Sequence, residues 1–346
     1  MKQIVLSLTV TLAAAAPFAL HGEDLPENLD RLSLGARFGM NFKADFRNNT
    51  AFRAAGGSAA SPGAATGGVD HNYDDGYVRL DSSGNAGGLT WNWGYQTASQ
   101  VAGNTMQFHA TQAGTPSSPG LSDATDDPQF GTELTYQRIL GRLPVTSGLW
   151  GFETGLGYTA LSLQGDSSAS RVDTTTTDTY QLNGVLPPSA GYNGTYTGPG
   201  ALLGDTPTRA SASSTTTLNT HEKLSGNLYS IRLGPFAEWE LAHKLSLAAS
   251  VGLTLAPASV EYDFSEVTTT SAGVTTVAGG HTDKNTFLYG PYVGVTLRYD
   301  FNPGCGAFVG AQFQSLNDLE ESVGGHTGRL DQSATVYGIL GFSLKF

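Results

Sequence analysis

Seven histidines, one cysteine and a few charges at alternate positions are the groups in this chain equipped for chemistry. Two histidines have near-identical surroundings, His281 in "GGHTDK" and His326 in "GGHTGR". With Asp283 beside the first, they make a donor set that Zn2+ or Cu2+ accepts. A pair of Gly-Gly loop tips is the plainer reading, because such turns occur in any exposed loop. His109 lies on a short alternating run, "TMQFHA", with no serine or acid evident as its partner. His71 sits with Asp70, Asp74 and Asp75 in "VDHNYDD", a stretch whose placement the sequence leaves open. Catalysis needs nucleophile and base within hydrogen-bond reach, and no such pairing is visible. The expectation is therefore no enzyme activity, no cofactor and no structural metal. Cys305 alone forms neither an internal disulfide nor a C-x-x-C site.

The charges are more telling. Arg37, Glu133, Glu153, Arg232, Glu238 and Arg298 each interrupt a run in which every second residue is apolar. Where they point depends on the elements that carry them.

Those elements read as strands. In "RLSLGARFGMNFKADF" the residues Leu32, Leu34, Ala36, Phe38, Met40, Phe42, Ala44 and Phe46 share one parity. A strand separates such sets onto two faces, whereas a helix scatters them. Further runs are "LTWNWGY", "TMQFHA", "FGTELTYQ", "WGFETGLGYTAL", "YSIRLGPFAEWEL", "LSLAASVGLTLAP", "FLYGPYVGVTLRYDF", "GAFVGAQFQS" and "VYGILGFSLKF". The opposite faces carry Gly, Ser, Thr, Gln and the sparse charges above, small neutral groups suited to a crowded interior. Charged residues are only 14 % of the chain and Gly supplies 45 residues. A net charge of −12 argues against nucleic acid, which wants a basic face. No internal stretch reaches the roughly 18 apolar residues of a spanning helix.

Connections alternate in length. Long polar ones fall near residues 47–88 and 164–223, and short ones such as "LGRLPVTSG", "AHK" and "NPGC" fall between them. That asymmetry belongs to membrane barrels with long external loops and tight periplasmic turns. The aromatics agree. Trp150, Trp239, Tyr299 and Phe301 lie beside short turns, while Phe46, Tyr158, Tyr229, Phe287, Tyr289 and Phe313 lie toward the long connections. The first residues, 1–22, read as an export signal, with Lys2 before the apolar "IVLSLTVTLAAAAPFAL" and cleavage between Ala15 and Gly22. The barrel domain then covers 23–346.

The whole mature chain resembles bacterial outer-membrane β-barrel proteins of the small porin-like kind. The resemblance implies that Leu340, Phe342, Leu344 and Phe346 form the terminal signal read by the barrel assembly machinery. The expected fold is an all-β, antiparallel, up-and-down transmembrane barrel of ten strands, with eight or twelve as alternatives. "TMQFHA" is short for a span, and "GYVRLD" (Gly76 to Asp81) is able to pair with "LTWNWGY" as a hairpin inside the first external loop. The six charges would pair inside the lumen or line a narrow passage. The implied function is structural, or passive transport of small solutes. A surface recognition or adhesion protein acting through its loops is the alternative, and an outer-membrane hydrolase the remotest. Partners would be outer-membrane lipid, the assembly machinery, and small solutes or an external ligand.

Overall fold

The computed structural model describes residues 29–49, 52, 62–64, 68–80, 87–117, 121–124, 128–144, 146–194, 200–273 and 275–346. The expected export signal lies outside the described residues. The barrel wall is built from β1 (Asp30–Met40), β2 (Gln129–Arg142), β3 (Leu149–Gln181), β4 (Thr208–Ala242), β5 (Leu245–Thr270), β6 (Thr275–Asn302), β7 (Cys305–Gln314) and β8 (Thr335–Lys345). Each pairs antiparallel with the next, and β1 pairs along its other edge with β8. Leu34 accordingly faces Leu134 on one side and Phe342 on the other. The ring is closed and leaves no edge in the bilayer.

Eight strands form the wall, not ten. The two surplus runs are real strands in the wrong place. "LTWNWGY" contributes Leu89–Thr90 and Trp93–Tyr95, and "TMQFHA" lies in Thr105–Gln112, all within the external connection from β1 to β2. Their apolar faces, with Trp93, Tyr95, Met106, Phe108 and Ala110, are buried in a separate external cluster with Tyr73, Val78, Tyr180, Leu182 and Leu203. Alternation alone cannot say whether an apolar face meets lipid or a small core. The hairpin alternative for "GYVRLD" is present: Val78 pairs with Trp93 and Gly76 with Tyr95.

Much of the segment 164–223 is strand, and the connection is confined to the stretch between Gln181 and Thr208. β3 runs on for 33 residues and β4 for 35, paired from Leu149–Glu238 to Thr179–Thr208. A tilted crossing needs only about 9–11 residues, so both strands stand far above the bilayer. β5 and β6 rise with them and meet at the tight turn after Thr270. On the opposite side β1, β7 and β8 stop after 10 or 11 residues.

The first run also breaks. Asn41 takes a left-handed conformation, φ 64°, and its side-chain amide donates to the Ala334 carbonyl at 2.6 Å. Past it, Lys43–Asn48 leaves the wall and joins a four-stranded sheet ordered Leu319–Val323, His326–Asp331, Lys43–Asn48, Leu121–Ala124. This sheet lies against the upper parts of β3 to β6. Phe42, Ala44, Phe46, Leu161, Leu163, Leu224, Val260, Tyr262, Leu319 and Leu330 make the core between them. Phe46, placed by its parity in the outer aromatic belt, instead lies fully buried and stacked on Tyr262 with centroids 6.0 Å apart.

Candidate functional site

The lumen collects the charged groups because strand parity leaves them nowhere else. Outward positions are apolar and bare, with Leu34 61 %, Phe342 69 % and Leu253 70 % exposed. Inward positions hold Arg37, Glu133, Glu153, Arg232, Glu238 and Arg298, all buried. They join into one ladder. At the periplasmic end Arg31 grips Glu238 through two bonds of 2.5 and 3.0 Å, and Arg298 donates to the same carboxylate at 2.7 Å. Gln137 forms the next rung, accepting from Arg298 at 2.6 Å and donating to Glu153 at 2.8 Å. Arg232 then lies between Glu153 and Glu133, with Tyr292 donating to Glu153 at 3.0 Å. Arg37 completes the ladder, 3.8 Å from Glu133 and bonded to Ser230 and Gln314 at 2.8 and 3.0 Å.

Glycine makes room for this. A side chain at Gly155 would meet the Arg232 guanidinium at 2.7 Å, and one at Gly157 would run into Arg37. β3 therefore presents bare backbone where two guanidinium groups lie. Below Arg31 and Glu238 the periplasmic end opens as a recess of about 750 Å3, but among the rungs above them the open space is a cavity of about 30 Å3 lined by Ser33, Glu133, Gln137, Glu153 and Arg232. That suits one water and no solute.

Above Arg37 the lumen turns apolar. Tyr337 lies under the Arg37 guanidinium, Phe42 meets Tyr337 edge-on at 5.9 Å, and the mouth core follows. Sequence reasoning missed Arg31, Gln137 and Tyr292. Arg31 had a usable signal, since it shares the parity of Arg37 on the same strand.

The two candidate metal ligands do not meet. His281 is not in a loop but in β6, opposite Asp263 of β5, with Nδ1 2.6 Å from the carboxylate on the exposed outer face. His326 is buried on the inner face, stacked on Phe264 at 3.7 Å. Asp263 and Phe264 are neighbours in one strand, so their side chains project from opposite faces and carry the two imidazoles apart. Glu222 and Glu266 approach opposite ring nitrogens of His326, at 3.3 and 3.4 Å, and do not converge on one ion. Asp283 faces Glu261 across the strands. Among the described residues no group of three or more His, Cys, Asp or Glu is arranged to hold a metal.

His109 does have an acid partner. The turn at Asp74 and Asp75 docks on its strand, placing Asp75 2.7 Å from Nδ1 and 2.9 Å from the His109 amide. The two are 34 positions apart, beyond the reach of spacing arguments. His71 is buried among the aromatics of the external cluster. Leu340, Phe342, Leu344 and Phe346 line the outer surface at the periplasmic end.

A closed ring with an apolar exterior and every inward charge paired needs a bilayer around it. The chain folds as a closed transmembrane β-barrel with a filled lumen. No family model matches it, and no curated protein does. Among solved structures it is similar to Ail, the attachment invasion locus protein of Yersinia pestis, solved with the heparin analogue sucrose octasulfate. Identity is 8 %, the match covers 92 % of this chain and 99 % of that one, and the TM-score is 0.27. The outer membrane protease OmpT of Escherichia coli gives 10 %, 93 %, 97 % and 0.29 on the same measures. The toluene transporter TodX of Pseudomonas putida gives 10 %, 93 %, 91 % and 0.20. Likenesses this distant carry nothing about the activity of the barrel.

Proposed function

We propose that this barrel is a closed anchor whose work is done outside the membrane, by the tall sheet of β3 to β6 and the two external cores, in surface recognition or adhesion. One observation carries the reading: the lumen is filled by paired charge from Arg31 to Arg37 and then capped by apolar side chains. A passage for small solutes would need an open path through both layers, and neither leaves one. The strand lengths support it further, because an anchor alone needs no strands of 33 and 35 residues. The proposal contains no catalytic step and no cofactor.

The test pairs two measurements on one variant. Ser168 and Asn219 face each other across β3 and β4, so a two-residue turn replacing 169–218 shortens the hairpin without touching the wall. The full chain should give no discrete openings in planar bilayers, and cells displaying it should attach to glycan-coated or epithelial surfaces. The shortened chain should still insert but lose attachment. Discrete single-channel steps from the full chain would restore the solute channel, and undiminished attachment by the shortened chain would remove the recognition reading.

A further inference from the structure

His71 is fully buried where the first external connection meets the tip of the β3–β4 hairpin. Its strand, His71–Tyr73, pairs with Gly76–Val78, which pairs in turn with Trp93–Tyr95. Its ring lies parallel to Tyr73 at 6.2 Å and edge-on to Tyr180 of β3 at 6.0 Å. Neither Nδ1 nor Nε2 has a hydrogen-bond partner among the described residues. An imidazole in an aromatic box with no acceptor at either nitrogen is housed as the neutral ring.

The carboxylate with the strongest pull on His71 is already engaged. Asp178 of β3, itself fully buried, accepts from Arg209 of β4 at 2.7 and 2.6 Å and from the Tyr73 hydroxyl at 2.6 Å. Tyr73 and Tyr180 share a bond of 2.8 Å between their hydroxyls. A proton on His71 would thus add a buried cation facing the Arg209 guanidinium, while Asp178 is committed elsewhere. Asp70 on its own segment and Asp205 before β4 are the remaining charges that face it.

We propose that His71 is an acid-release catch: at neutral pH it holds the three-stranded sheet of the first connection on the hairpin tip, and its protonation frees that sheet. The electrostatics run the same way. Burial pushes the His71 imidazole below its ordinary value, Asp178 pulls it back up, and Arg209 adds to the depression. A base depressed in the docked state favours docking above the ordinary imidazole range, and docking weakens as pH falls through and below it. The inference stands on the packing and goes beyond the recognition proposal, so either can fail alone.

The experiment is hydrogen exchange on the full-length barrel in nanodiscs at pH 7.5 and 5.5, corrected for intrinsic chemical exchange. Opening of the segments 71–78 and 93–95 should rise about tenfold at the lower pH, while β5 near Leu253 stays unchanged. The variant His71→Phe keeps the aromatic packing without a titrating group and should show no rise. Equal protection at both pH values in the parent, or the same rise in His71→Phe, would overturn the catch. Should His71→Phe not fold, the His71 ring resonance decides on the parent chain. A midpoint below 6.5 supports the catch and one above it ends the idea.

Discussion

The Arg37 guanidinium lies 3.4 Å above the ring of Tyr337, at the level where the polar ladder gives way to the apolar mouth. Both side chains are almost wholly buried, so the cation–π contact is desolvated and is worth about 2 kcal/mol. Arg37→Met removes that contact and leaves Ser230 and Gln314 without their donor. Urea unfolding of the micellar barrel should show a loss of about 3 kcal/mol. Tyr337→Leu, which keeps apolar volume but removes the ring face, should lose less.

At the periplasmic end one carboxylate serves two guanidinium groups. Glu238→Gln would leave Arg31 and Arg298 close together with no anion between them. Removing one member of a buried ion pair costs about 3–5 kcal/mol, and this case falls at the upper end. The predicted readout is a lower unfolding temperature. A variant as stable as the parent would mean that water already screens this end of the ladder.

Two phenylalanines from alternating apolar runs should behave differently. Phe42 is fully buried in the mouth core, so Phe42→Ala should cost about 3–5 kcal/mol through lost burial and the space left behind. Phe342 is 69 % exposed on the lipid side, and Phe342→Ala leaves no internal space. Its equilibrium stability should change by less than about 1 kcal/mol in micelles. Its insertion in cells should slow if the terminal strand is the assembly signal.

On the outer face, hydrogen bonding to Asp263 raises the His281 imidazole above its ordinary value, with Glu261 and Asp283 adding to the effect. A raised base contributes to the fold below its unfolded value and loses that contribution as pH climbs through the folded one. Asp263→Asn should bring the His281 midpoint down in a proton NMR titration. No change would mean the pair does not form in solution. The exposed position and salt screening keep any effect on overall stability slight.

The wall was readable because lipid outside and packed polar groups inside force strict alternation, as in Leu34, Phe342 and Leu253 against Arg37 and Arg298. Three things escaped. Trp93, Tyr95, Met106 and Phe108 alternate just as well, but toward an external core, and a two-residue period carries no information on what lies beyond the apolar face. The upper parts of β3 and β4, such as Thr174 to Thr177 against Ala210 to Ser213, are dominated by Thr and Ser with few large apolar residues and so mimicked a low-complexity loop. Asn41 redirected the chain through a single backbone angle that Asn tolerates but does not announce. Of the candidate sites, the lumen charges followed from parity. The fate of His281 and His326 depended on which face each strand showed, one residue either way.

The tall side of the barrel also sets how it meets force. β4 and β5 stay partners from Thr216–Thr270 above the membrane to Ala242–Leu245 at the periplasmic turn, with interruptions at Tyr229–Ser230 and Gly234–Pro235 and a bulge after Glu240. A pull on the hairpin tip drags β4 lengthwise past β5 and loads the bonds of that ladder together, instead of peeling them one at a time. Tension gathered at the cell surface is thereby shared along the whole height of the wall before any strand is drawn out of the bilayer.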